Sequence, residues 1–210
     1  MMSGHSVGSD GLRVDQRVVA EMISANSRVL DVGCGDGALL RHLAQVKGVD
    51  ARGLELQQRL VSASVAHGLS VIQGNAEENL SFYPDASFDY VVLSQTIQAM
   101  TQPKQVLSEL LRIGRHAIVS LPNFGYWKVR LQLLLTGRMP VSEFLTYQWY
   151  DTPNIHFCTI RDFCVLADEM GLSIERAVSV AAEGKVRPMK SGSAVANIFG
   201  EQAVFLLRRL

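Results

Sequence analysis

Residues 29–39 read Val29-Leu30-Asp31-Val32-Gly33-Cys34-Gly35-Asp36-Gly37-Ala38-Leu39. Val29, Leu30 and Val32 form the short, β-branched-rich run expected of a buried parallel strand. Three alternating glycines, Gly33, Gly35 and Gly37, then break the run. Glycine tolerates positive φ and lets a ligand come close to the backbone. From Ala38 to Ala44 apolar residues return at helical spacing. The unit is strand, glycine turn, helix, and it predicts a nucleotide-cofactor seat.

Gly33-Cys34-Gly35-Asp36-Gly37-Ala38 also fits the loose dinucleotide pattern G-x-G-x-x-G/A, and a tight turn without ligand is the plain alternative. Asp31 argues against a dinucleotide: a carboxylate at the strand end would repel a pyrophosphate. It suits a cationic group, such as the amino-acid end of S-adenosylmethionine (AdoMet). The G-x-G-x-G spacing of Gly33, Gly35 and Gly37 resembles that of class I AdoMet-dependent methyltransferases.

Two further stretches extend this seat. A second strand ends near Glu55, twenty-two positions after Gly33, where a carboxylate can grip a ribose diol in either an adenosyl or a nicotinamide ligand. A surface glutamate opening the next helix is the simpler option. After the strand Leu69–Gln73 comes a polar turn with Asn75, Ala76 and Glu77. Class I methyltransferases commonly place an aspartate here against the adenine amino group. Asn75 can still accept that hydrogen bond but lacks the charge, and Glu77 is a substitute if the turn shifts. Leu56, Ala76 and Ser94 complete the predicted cofactor-binding set of Asp31, Gly33, Cys34, Gly35, Glu55 and Asn75. Cys34, between two glycines, is read as a small residue packed under the loop rather than a reactive thiol.

The chain has 210 residues, 48% of them hydrophobic, enough for one compact domain with a full core. Its formal net charge is zero, so no electrostatic footprint for nucleic acid is expected. No apolar run suggests a membrane span, and the first residues lack a signal-peptide layout. Residues 1–11 read as a flexible tail and 12–210 as a single domain. Cys34, Cys158 and Cys164 are scattered, which predicts neither a disulfide framework nor a zinc site and makes a reducing cytoplasm the default.

Strands and helices alternate along the chain, implying right-handed βαβ units and a parallel sheet. An opening helix lies within Leu12–Ser24, the fourth strand spans Ser87–Ser94, and Pro103 opens a helix. The fifth strand ends at Pro122, and Thr159 caps a helix that closes at Gly171. Leu172–Val180 and Gln202–Arg208 read as closing strands, and the Gly/Ser-rich Glu183–Gly200 between them as a mobile loop with Lys185, Arg187 and Lys190. The expected fold is α/β and Rossmann-like: a seven-stranded, mostly parallel sheet with a C-terminal antiparallel hairpin, as in class I methyltransferases.

Residues 122–160 exceed an ordinary strand-to-helix connection. They hold eight of the chain's fifteen aromatics: Phe124, Tyr126, Trp127, Phe144, Tyr147, Trp149, Tyr150 and Phe157. This aromatic-rich insertion would lie over the carboxyl edge of the sheet, where lids and binding surfaces belong. Tyr126–Leu135 predicts an amphipathic helix with Trp127, Leu131, Leu134 and Leu135 inward and Lys128, Arg130 and Gln132 outward. Tyr126, Trp127 and Trp149, with Asn123, Asp151, Asn154 and His156, are the candidates for contact with a substrate or partner. Aromatics capping an open end of the core, and a merely hydrogen-bonding His156, are the alternatives.

Leu93–Gln98, Pro122–Gln132, Thr136–Pro140 and Trp149–His156 together resemble the MetW family of bacterial methionine-biosynthesis proteins, with similarity from about residue 12 to the end. The resemblance implies a methyltransferase-like fold and a role beside the MetX-type homoserine O-acyltransferase. The expected function is therefore an accessory protein of that acyltransferase, with AdoMet or S-adenosylhomocysteine (AdoHcy) in the cofactor seat. A small-molecule methyltransferase is the second reading, with His156 and Tyr126 as candidate bases. A nicotinamide dehydrogenase is third. No G-x-S-x-G elbow offers a nucleophile for acyl transfer, which would belong to the partner.

Overall fold

The computed structural model describes residues 11–142, 145, 147–181 and 184–209. Phe144 and residues 1–10 of the expected tail lie outside the described residues. The strands are β1 (Arg28–Val32), β2 (Asp50–Glu55), β3 (Ser70–Gln73), β4 (Phe88–Ser94), β5 (Gly114–Pro122), β6 (Leu172–Val180), β7 (Val186–Pro188) and β8 (Gln202–Arg209). The helices are α1 (Val14–Met22), α2 (Ala38–Lys47), α3 (Gln58–Ala66), α4 (Ala76–Asn79), α5 (Pro103–Ile113), α6 (Trp127–Thr136), α7 (Ile160–Glu169) and α8 (Ala194–Phe199).

One sheet runs in the order β3-β2-β1-β4-β5-β8-β6-β7. β1 to β5 are parallel, and β8 inserts antiparallel between β5 and β6. The strand count departs from the expected seven. Glu183–Gly200 is not simply a loop: its described residues include β7, on the sheet edge beside β6, and α8. The Ser193 hydroxyl caps α8 by accepting from the Ala196 N–H at 3.3 Å.

Side-chain alternation sorts the central strands onto two faces. Val29, Val92 and Ile118 join Val18 and Val19 of α1 in one apolar cluster, whereas Leu30, Leu93 and Val119 pack with α5 and α7 on the other face. Asp31, Ser94 and Ser120 follow two residues after Val29, Val92 and Ile118, so they share the α1 face. Three adjacent strands thus carry a polar residue at or near their carboxyl ends, beside one helix.

Gly37 is the N-cap of α2 at φ +77°, and a Cβ there would collide with Leu69 Cδ1 and lie 2.9 Å from Ser64 Oγ. The left-handed backbone and the contact with α3 together demand glycine. Gly37→Ala should lower stability by about 2 kcal/mol. Thermal denaturation should then show a fall of several degrees, and an unchanged midpoint would contradict this packing.

The helix predicted from Tyr126 forms as α6, but its leucines do not face inward. Val129 is its one buried residue, packed with Tyr126, Leu145 and Phe124. Leu134 is 79% exposed and Leu135 73%, and Trp127 and Leu131 are also exposed. Lys128, Arg130 and Gln132 are exposed, as expected, and Arg130 Nε also donates to the Gly125 carbonyl at 2.6 Å. The helix is tethered at its N-terminal turn, and its apolar stripe has no cover among the described residues. No described helix is long and apolar enough to cross a membrane.

Candidate functional site

The strand order reverses at β1 and β4, whose carboxyl ends open the crevice where α/β folds bind ligands. A cleft of about 460 Å³ lies there, lined by Val32, Gly33, Leu54–Gln57, Gly74–Glu77, Gln95, Thr96, Ala99, Met100, Pro153 and Asn154. It brings together Gly33, Glu55, Leu56, Asn75 and Ala76 of the predicted cofactor set, with Asn154 from the aromatic insertion.

The glycine loop crosses the strand ends with the Gly33 and Cys34 N–H groups donating to the Leu54 carbonyl. Glu55 is buried, its Oε2 accepting from the Gly35 N–H and its Oε1 from the Gln57 N–H, each at 2.9 Å. Each oxygen retains a lone pair for a hydroxyl donor. Asn75 caps α4, accepting from the Glu77 N–H at 3.0 Å and donating Nδ2 to Glu78 Oε1 at 3.1 Å. Glu77 is taken up by the Thr101 hydroxyl and the Gln102 N–H, bonds that lower its pKa.

Asp31 is buried on the α1 face, and its Oδ1 has no hydrogen-bond partner among the described residues. Burial pushes its pKa up to about 7; Arg13 opposes the rise, and Glu55 and Asp15 add to it. It is not part of the cleft lining but stands immediately beneath Val32 and Gly33, which are. An orphaned buried carboxylate at this edge is chemically suited to a cation. Cys34 packs with Leu40, Val61 and Val71, its Sγ 2.6 Å from where a Cβ on Gly53 would lie. Burial, then Asp31 and Glu55, drive its thiol pKa up, as fits a packing residue under the loop.

Ser94 also lies off the cleft wall. Its hydroxyl donates to Asp15 Oδ2 at 2.8 Å and accepts from Arg13 Nη2 at 2.8 Å, with Ser120 Oγ 3.2 Å away. Gln95, which no local sequence pattern marks, sits in the cleft wall at φ +54° with Nε2 donating to Gln202 Oε1 at 2.6 Å. Thr96 is equally unmarked, and its Oγ1 lies 3.0 Å from where a Cβ on Gly33 would be. A left-handed non-glycine residue is strained, and such strain is held at sites that the surrounding structure fixes.

The candidates of the insertion separate into two buried residues, four exposed ones and Asn154 between them. Asn123 is a buried pin: Nδ2 donates to the Asn197 and Gly200 carbonyls, and Oδ1 accepts from the Gly125 and Ile160 N–H groups. Tyr126 is buried, and its phenol pKa is pushed up to about 12 by burial and by Glu201. It is a poor base for chemistry in the cleft, which it does not line. Trp127, Trp149, Asp151 and His156 are exposed. Trp149 stacks edge-on with Tyr150 at 5.6 Å between ring centroids. The Ile155 and His156 N–H groups both donate to the Gln98 carbonyl, fixing this strap across the cleft mouth. Asn154 also lines a small pocket with Phe124, Trp149 and Phe157, so it touches both the cleft and the aromatic face. Among the described residues no group of three or more His, Cys, Asp or Glu could hold a metal ion.

A family model described as methionine biosynthesis protein MetW matches residues 13–207. The chain belongs to the MetW family. The bifunctional methionine biosynthesis protein MetXA/MetW of Rhodopirellula baltica is 37% identical over 177 residues, covering 80% of this chain and 28% of that protein. This MetW-family chain therefore spans little more than a quarter of that relative. A demethylmenaquinone methyltransferase of Listeria monocytogenes is 27% identical over 199 residues, covering 85% of this chain and 79% of the relative. A SAM-dependent methyltransferase of Thermotoga maritima, described as a possible histamine N-methyltransferase, superposes with a TM-score of 0.68 at 18% identity over 94% of this chain and 88% of its own. The [4+2]-cyclase SpnF superposes with a TM-score of 0.65 at 19% identity over 92% of this chain and 80% of its own. The fold is that of the methyltransferases, and the cyclase has it too, so fold alone does not assign a reaction.

Proposed function

We propose that this protein is an accessory partner of a MetX-type homoserine O-acyltransferase in the cytoplasm, with its cleft holding AdoMet or AdoHcy as a signal. The observation that carries the reading is the Rhodopirellula relative, whose single chain bears both names, MetXA and MetW. The exposed apolar face of α6 with Trp149 and Tyr150 supports it as the docking surface, because large exposed aromatics and leucines on one side commonly mark interfaces.

In this reading Glu55 grips the ribose, Leu56 and Ala76 flank the base, and Asn75 accepts from the adenine amino group. Gly33 and Gly35 give the ligand backbone access, and Asp31 counters its positive charge. A ligand modulates a partner only by binding two states with different affinity. Asn154, common to the cleft and the aromatic pocket, is the element through which occupancy would reach the docking face.

The second reading, methyl transfer to a small molecule, is favoured by the similarity to demethylmenaquinone methyltransferases. The described residues lining the cleft include two carboxylates and no histidine, tyrosine, cysteine or lysine, and both carboxylates already accept hydrogen bonds. Such a cleft suits positioning better than proton abstraction. Size-exclusion chromatography of the chain mixed with the cognate acyltransferase tests the partnership. Co-elution is expected; separate elution, with AdoHcy present or absent, would contradict it.

A further inference from the structure

A second cavity, of about 300 Å³, opens on the sheet face opposite α1, between the first turns of α5 and α7. Its walls are Ile97, Pro103, Phe163 and Leu166, with the half-buried Cys158 among them. None of the residues lining it lines the cleft, yet the two spaces share their partitions. In the single 3-10 turn Ile97–Ala99, Ile97 and Gln98 border this cavity, whereas Ala99 and the following Met100 line the cleft. The strap repeats the arrangement: Pro153 and Asn154 line the cleft, His156 and Cys158 the second cavity.

Gln98 ties the turn to the strap. Its backbone carbonyl accepts from the Ile155 and His156 N–H groups, and its Nε2 donates to the Pro122 carbonyl at 3.2 Å and to Cys158 Sγ at 3.1 Å. The residue is 1% exposed, and its Oε1 has no hydrogen-bond partner among the described residues. A buried amide oxygen without a donor is rare in folded proteins and marks an unfilled demand. The other polar groups of the lining carry no comparable demand. Lys104 Nζ pairs with Glu169 at 3.0 Å, Asp162 Oδ2 accepts from the Thr159 N–H and hydroxyl, and His156 is exposed to solvent. The unmet group is thus a neutral acceptor among apolar walls, in a space of the size that holds a small molecule.

We propose that this cavity is a second ligand site, separate from the cleft, for a neutral apolar molecule whose one N–H or O–H donor is received by Gln98 Oε1. Because the turn and the strap wall both spaces, occupancy of one changes the affinity of the other. That coupling rests on the reading of the cleft as an AdoMet-type site; the second site itself does not.

Indole and benzofuran, bicycles of the same shape of which only indole has an N–H, serve as probes in an NMR titration of the full chain. Indole should shift the resonances of Ile97, Gln98, Phe163 and Leu166. It should bind about tenfold more tightly than benzofuran, the difference made by a donor to an otherwise unpaired buried acceptor. Equal affinities overturn the role of Gln98, and binding of neither, as when a water alone meets Oε1, overturns the site. Leu166→Trp, which fills the cavity, should abolish indole binding; retained binding would place the probe elsewhere and overturn the assignment. For the coupling, saturating indole should change AdoHcy affinity at least about fivefold, and AdoHcy should change indole affinity by the same factor. An unchanged affinity overturns the coupling and leaves the site standing. A chain that binds indole and not AdoHcy overturns the cleft reading, and the coupling with it.

Discussion

Asp31→Asn is expected to stabilise the empty protein at pH 8 and to weaken its hold on AdoHcy. The Asp31 pKa is about 7 in the folded chain, against an ordinary value of 3.8. Between these values the folded chain keeps a proton that the unfolded chain has released. Stability contributed by the protonated form is therefore full below about pH 4 and is lost as the pH rises to about 7. Asparagine has the same shape and cannot ionise, so it escapes the loss. The gain at pH 8 should be on the order of 4 kcal/mol, seen as a melting temperature higher by several degrees. The gap should close at pH 4. Binding should move the other way: an ammonium beside an ionised Asp31 forms a charge-assisted pair that asparagine cannot supply, so AdoHcy affinity should fall more than tenfold. For the unaltered chain, AdoHcy affinity should rise between pH 6 and pH 8 as the ligand displaces the Asp31 proton. A variant no more stable at pH 8, or one equally stabilised at pH 4 and pH 8, would refute the orphaned-carboxylate account.

The second large effect concerns the uncovered face. Leu134 is 79% exposed and Trp149 70%, so replacing both disturbs little of the fold. Leu134→Ser with Trp149→Ala should shift stability by no more than about 0.5 kcal/mol. If these exposed side chains dock the acyltransferase, two large apolar anchors are removed, and association should weaken by about a hundredfold. AdoHcy affinity should stay as it is, because neither residue lines the cleft. Trp127→Ala, at the start of the same helix, should weaken association in the same direction. Unchanged association of the double variant would move the docking surface elsewhere on the molecule.

The parts of the fold that were legible in the sequence are those where local chemistry and tertiary demand agree. Val29 to Gly37 could only be a strand and a glycine turn, and the collision that a Gly37 side chain would meet explains why. The Thr159 cap is likewise complete in sequence, and it is realised as a capping box with Asp162. The leucine stripe of α6 misled for a physical reason: amphipathic spacing says that a face wants cover, not that the same chain provides it. β7 has three exposed residues, one of them proline, and carries too little pattern to be read. α8 did leave a signal in Ser193, hidden by the glycines around it.

Glu55, Leu56, Asn75 and Ala76 could be placed at the cleft from sequence because they stand at the carboxyl ends of β2 and β3 or within three residues of them. Ser94 lies off the cleft wall because, two residues after Val92 on the same face of β4, it faces α1 and accepts from Arg13. Gln95, Thr96 and Pro153 depend on a left-handed backbone and on a strap returning from the insertion, neither of which has a local sequence signature.

Homoserine O-acyltransferase activity of the cognate enzyme, assayed with and without an equimolar amount of this protein and then with AdoHcy added, tests the central claim most directly. The protein is expected to change the rate, and AdoHcy to alter the size of that change. An acyltransferase whose rate is indifferent to the protein, with no complex formed, would contradict it and leave methyl transfer as the remaining use of the cleft.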